Sequence, residues 1–160
     1  MNNYGNLWDL EKVIQSYIIQ SLQLTGNTIY EKLKEKVDAY YNEPVFSEPN
    51  TTIPDVYQRT NTLKDSLFEP VITQNGNTAI LTTGFEDDYL SFEYPGNPQW
   101  KKNKPATGQD VLEYFNSSSH GGTVKGSHDF WDEAIEELGG EQGIVDLFKR
   151  NCKKVGLPIK

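Results

Sequence analysis

Apolar residues recur at helical spacing through the first quarter of the chain, at Leu10, Val13, Ile14, Tyr17, Ile18, Leu22, Ile29, Leu33, Val37 and Tyr40. Steps of three and four place them along one side of a helix. Glu11, Lys12, Lys32, Lys34, Glu35 and Lys36 fall mainly off that side. Gly26-Asn27 interrupts the run, and Thr28 with Glu31 has the form of a capping box that would open a second helix. The stripe keeps its phase across the interruption, so the spacing predicts one long, kinked helix over 7–41. Some thirty residues of helix reach about 45 Å, longer than the core of a small domain is wide. Part of the stripe is therefore expected to lack intramolecular cover. Trp8, Tyr17, Tyr30, Tyr40 and Tyr41 add aromatic area to it, and such surface is expected to meet a neighbouring protein.

A chain of 160 residues fits a single domain over 1–160. It divides into the N-terminal helix, an extended arm at 42–56 with Pro44, Pro49 and Pro54, and a core at 57–156. Thr60 is placed to cap a short helix through Leu63 and Leu67, ended by Pro70. Two β-rich runs flank Asn75-Gly76, the favoured pair for a type I′ turn, and predict a hairpin at 71–83. Alternation from Tyr89 to Tyr94 predicts a third strand. Helices are expected from Gly108 to Phe115, after a Ser127 cap, and from Glu141 to the closing Gly156. The expected fold is α+β: a long N-terminal helix, a small antiparallel sheet and C-terminal amphipathic helices.

The net charge of −8 disfavours nucleic acid and anionic membranes as attracting partners. One cysteine, Cys152, rules out an internal disulfide. The opening residues Met1-Asn2-Asn3-Tyr4 lack the basic and apolar regions of a leader. His120 and His128, eight positions apart, match no metal-ligand spacing. A hydrolase built on them and the acidic clusters has no motif behind it. Cys152 sits among apolar neighbours of the last helix and reads as a packed thiol. No phosphate loop, dinucleotide fingerprint or nucleophile elbow is present. Catalytic, cofactor and metal residues are accordingly expected to be none, leaving binding or assembly as the function class. A small acidic regulator that binds a host protein is one such possibility.

Tyr57-x-Arg59-Thr60-x-x-Leu63-x-x-Ser66 lies between the arm and the hairpin. With the long helix before it and an amphipathic helix at the end, this order resembles the small head–tail joining or tail-completion (neck) proteins of tailed bacteriophages. The resemblance runs roughly from residue 7 to 155. Asn61 stands where many relatives have Gly, a mild departure because Asn also accepts a left-handed backbone. Such proteins are not enzymes. The resemblance implies a structural subunit, made in the host cytoplasm and housed in the virion neck or tail. It would assemble as an oligomeric ring against portal-adaptor and tail-tube or tail-terminator proteins. Arg59 and Tyr57 are then the first candidates for contact, with Trp8, Tyr17, Tyr30, Tyr40 and Tyr41 behind them.

Overall fold

A computed structural model describes residues 7–42, 61–93, 105–116 and 128–159. The proline arm, Tyr57, Arg59, Thr60, His120 and Ser127 lie outside them. The elements in order are α1 (Leu7–Asn42), α2 (Thr62–Asp65), β1 (Leu67–Asn75), β2 (Thr78–Phe85), α3 (Asp87–Leu90), β3 (Phe92–Glu93), β4 (Pro105–Ala106), α4 (Gly108–Asn116), α5 (Phe130–Glu137) and α6 (Gly140–Val155). The α+β class holds, with two separate two-stranded sheets, β1-β2 and β3-β4. The chain forms two compact units, one of Met1–Lys32, Glu69–Gly84 and Ala134–Lys160, the other of Leu33–Phe68 and Phe85–Glu133.

Helix α1 runs unbroken for 36 residues, through Gly26-Asn27. Its buried line is Ser21, Thr25, Ile29, Leu33, Val37 and Tyr40, each three or four residues from the last. Two of these are polar and satisfy their hydroxyls on the helix itself: Ser21 donates to the Tyr17 carbonyl at 2.7 Å and Thr25 to that of Ser21 at 2.8 Å. Thr28 likewise bonds back to the Leu24 carbonyl at 3.0 Å and caps nothing.

In the first unit the hairpin lies directly on α1. A Cβ on Gly26 would come within 2.6 Å of Leu81 Cδ1 and 2.7 Å of Pro70 Cβ. The glycine that reads as an interruption is thus a place where strand side chains pack close against the helix backbone. Strand β1 passes through Pro70, which was expected to end a helix. In a two-stranded sheet each strand has an unpaired side, so the missing N–H need cost no ladder bond. The turn residues are Gly76 and Asn77, one step later than expected, with Gly76 at φ +58°. Helix α6 contributes the buried Asn151 and Cys152. It ends on Gly156 at φ +97°, whose N–H is shared by the carbonyls of Cys152 and Lys153, while Leu157 N–H bonds to the Cys152 carbonyl at 2.8 Å.

The second unit has an apolar core of Val37, Tyr40, Leu63, Leu90 and Phe130, flanked by Tyr41, Phe85, Val111, Leu112 and Phe115. Of the segment expected as a third strand, Tyr89 and Leu90 belong instead to the helical turn α3, which inserts Leu90 into that core. Ser91 is extended, and Phe92 and Glu93 form β3, paired antiparallel with Ala106 and Pro105; Tyr94 lies outside the described residues. Helix α4 starts on a reciprocal cap: Asp110 N–H donates to the Thr107 hydroxyl at 3.2 Å and Thr107 N–H to the Asp110 carboxylate at 2.9 Å. The Asp87 carboxylate accepts the Gln109 N–H at 2.9 Å and satisfies a further amide of that first turn. Asp129 caps α5 by accepting the Asp132 N–H at 3.1 Å.

Candidate interaction surface

The expected contact residues separate into three groups. Tyr57 and Arg59 lie outside the described residues. The backbone of Trp8 belongs to α1, and its side chain is also outside them. Tyr17, Tyr30 and Tyr41 are half-buried on α1. Tyr40 is corrected: at 3% exposure it is core. Its ring meets Tyr41, Phe115, His128 and Phe130 edge to face, with centroids 5.0–5.7 Å apart, the arrangement that ring quadrupoles favour. Nothing of it is left to reach a neighbour. The last two residues of the Tyr-x-Arg-Thr motif are structural as well. Leu63 is buried, and buried Ser66 donates to the Leu63 carbonyl at 2.8 Å while its own carbonyl accepts Glu86 N–H at 2.7 Å.

The exposed apolar surface lies partly elsewhere. In the first unit it comprises Leu10 and Ile14 on α1, Val71 and Ile80 on the hairpin, and Val145 on α6. Leu10 and Ile14 belong to the helical stripe and remain uncovered as its length implies. Together with Glu11, Gln15 and Asn77 they line a shallow groove. Val71 and Ile80 occupy the outward side of their strands, alternating with Pro70, Ile72, Ala79 and Leu81, which turn inward. Their period of two was readable in the sequence, but which of the two sides would be covered was not. In the second unit Tyr89 and Trp131 are the large exposed rings.

Charge on this surface is unevenly spread. Lys32 reaches Glu137 at 3.4 Å, and Lys36 reaches Glu133 at 3.7 Å. Lys64 donates to Asp38 at 2.6 Å, and that hydrogen bond and charge hold its ammonium above the ordinary lysine value. Helix α5 carries Asp132, Glu133, Glu136 and Glu137 and no base. Helix α6 ends in Lys149, Arg150, Lys153 and Lys154, all exposed.

Among the described residues the chemistry-bearing groups do not gather. His128 stacks on Phe130 with ring planes 14° apart, and its backbone N–H donates to the Phe115 carbonyl at 2.9 Å. Cys152 is 1% exposed. Among the described residues no group of three His, Cys, Asp or Glu side chains could hold a metal ion, and no helix is long and apolar enough to cross a membrane. What the described surface offers is apolar and charged area suited to protein contact.

Neither the curated proteins nor the solved structures contain a match to the chain. A family model, YomN, matches residues 6–154. That span takes in every described helix and strand except the last residue of α6, Val155, and the chain belongs to the YomN family.

Proposed function

We propose that the protein is a structural component of a phage virion, a subunit of the neck or tail-completion ring that joins head to tail. The match to YomN, a family from a Bacillus phage region, over nearly the whole chain supports a phage association, and the neck assignment within it rests on the resemblance of the sequence to neck proteins. The order of the described elements fits the resemblance to neck proteins: long helix, short motif helix, hairpin and terminal amphipathic helix. The surface also supports assembly over catalysis. Leu10 and Ile14 stand exposed on a helix of about 54 Å, and the outer side of the hairpin presents Val71 and Ile80. Such apolar area favours a protein neighbour. In this reading the partners are portal-adaptor and tail-tube or tail-terminator proteins, and the acidic subunit flanks the channel without gripping DNA.

The test is the composition of particles. Mass spectrometry of density-purified virions should find the protein at several copies per particle, and its deletion should leave filled heads and tails unjoined. Absence of the protein from purified particles, with normal assembly in the deletion, would refute the reading.

A further inference from the structure

The end of α6 is more basic than its own dipole calls for. Cations in the last turn of a helix complement its negative end, and Lys153 and Lys154 fill that place. Lys149 and Arg150 lie a turn earlier and extend the charge along the exposed arc of the helix. Lys149 reaches Asp146 at 3.9 Å. No described residue forms an ion pair with Arg150, Lys153 or Lys154. Opposite in sign is the turn that joins α5 to α6, where Glu136 and Glu141 stand exposed on either side of Gly139-Gly140.

These two patches cannot neutralise each other within one chain. Glu141 and Lys153 sit near opposite ends of the same helix, and about twelve residues of rise hold them roughly 18 Å apart. Side chains do not bridge that distance on a rigid helix. In two copies the restriction disappears, because the basic end of one α6 can approach the acidic turn of another. Val145, exposed between the two ends, supplies apolar area beside the charges.

We infer that the Lys149, Arg150, Lys153 and Lys154 face of α6 docks on the Glu136 and Glu141 turn of a second copy of this chain. The inference rests on the ring reading for its biological setting and names the contact within that ring. The two surfaces differ, so the contact is head to tail: each copy keeps one patch open for the next, and the series closes or extends according to its rotation. The overall charge of −8 opposes indiscriminate clustering, so attraction is confined to this pairing and weakens with salt.

A charge swap tests it. One variant carries Lys149→Glu, Arg150→Glu, Lys153→Glu and Lys154→Glu; the other carries Glu136→Lys and Glu141→Lys. Sedimentation velocity at micromolar concentration compares them with wild type at about 50 mM and about 500 mM salt, with circular dichroism as the folding control. Wild type should associate at low salt, with Kd rising at least about tenfold at high salt. Each variant alone should sediment as a monomer, and their equimolar mixture should regain association. If the fourfold variant does not fold, Lys153→Gln with Lys154→Gln replaces it, and reduced self-association is then expected. A mixture that stays monomeric overturns the contact. So does a monomeric wild type at low salt, even if the protein is present in virions, which separates this failure from failure of the structural reading. Retention of a short DNA duplex by wild type, lost in the fourfold variant with no self-association, assigns the basic face to nucleic acid instead.

Discussion

The Asn151 side-chain amide donates to the Thr25 hydroxyl at 3.1 Å inside the first unit, joining residues 126 positions apart. The Thr25 hydroxyl in turn donates a hydrogen bond to the Ser21 carbonyl. The three residues form a polar seam where α6 meets α1, with exposures of 9%, 2% and 0%. A seam of this kind holds register because sliding either helix strands a buried donor.

Thr25→Val keeps the shape and removes the acceptor. It should cost about 1–3 kcal/mol, the penalty for a buried amide left without its bond. Adding Asn151→Leu should recover part of that loss. Urea unfolding of the two single variants and the double completes the cycle. Strict additivity would show that the bond contributes nothing to stability.

Gly26→Ala runs against the usual helix preference. Alanine is favoured over glycine in a helix interior by about 1 kcal/mol. Here the new methyl would lie 2.6 Å from Leu81 and 2.7 Å from Pro70, and overpacking of that kind costs about 1–3 kcal/mol. A lowered melting temperature is expected, partly restored by Leu81→Ala. A raised melting temperature in Gly26→Ala would show that the hairpin moves aside freely.

Gly76→Val tests the turn. The position has φ +58° and open space around it, so only the backbone opposes a side chain. The loss should be on the order of 1 kcal/mol or more, because a β-branched residue resists the left-handed region. Gly76→Asn should be tolerated far better. Equal melting temperatures for Val and Asn would show that the turn relaxes to another form.

Arg59 is the basic residue of the 57–63 segment, and its planar fork suits a carboxylate on a partner. Arg59→Ala should lower incorporation into particles while leaving the stability of the isolated protein within about 1 kcal/mol. An unfolded purified variant would place the arginine in an internal pair.

The long helix was legible because its 3.6 period persists over many turns, and propensity errors average out across them. Ser21 and Thr25 were not legible as buried positions, since a hydroxyl satisfied by its own helix is written no differently from one facing water. The hairpin was legible from Asn-Gly, but its turn shifted by one residue, which is decided by how the strands pack on α1. Tyr89–Tyr94 alternates like a strand, yet the burial of Leu90 wins over that pattern. Thr107 and Asp110 carry a readable capping signature that the sequence reading passed over. The Asp87 bond to Gln109, 22 positions away, depends on tertiary structure and has no local sign. For the candidate surface, helix length said that part of the stripe would stay exposed, but not that Leu10 and Ile14 would be that part. Nor was the burial of Tyr40 legible: its place on the stripe marked it as apolar-facing, but the period does not say which part of the stripe the rest of the chain covers.

Cys152 is the single thiol of the chain. It is 1% exposed, and its carbonyl accepts the hydrogen bonds that close α6. A reagent reaches its sulfur only when α6 lifts from its packing. The rate at which the native protein consumes a thiol-reactive dye therefore clocks the opening of this helix, without any introduced label. The same clock, run during assembly, would report whether joining a neighbour slows that opening.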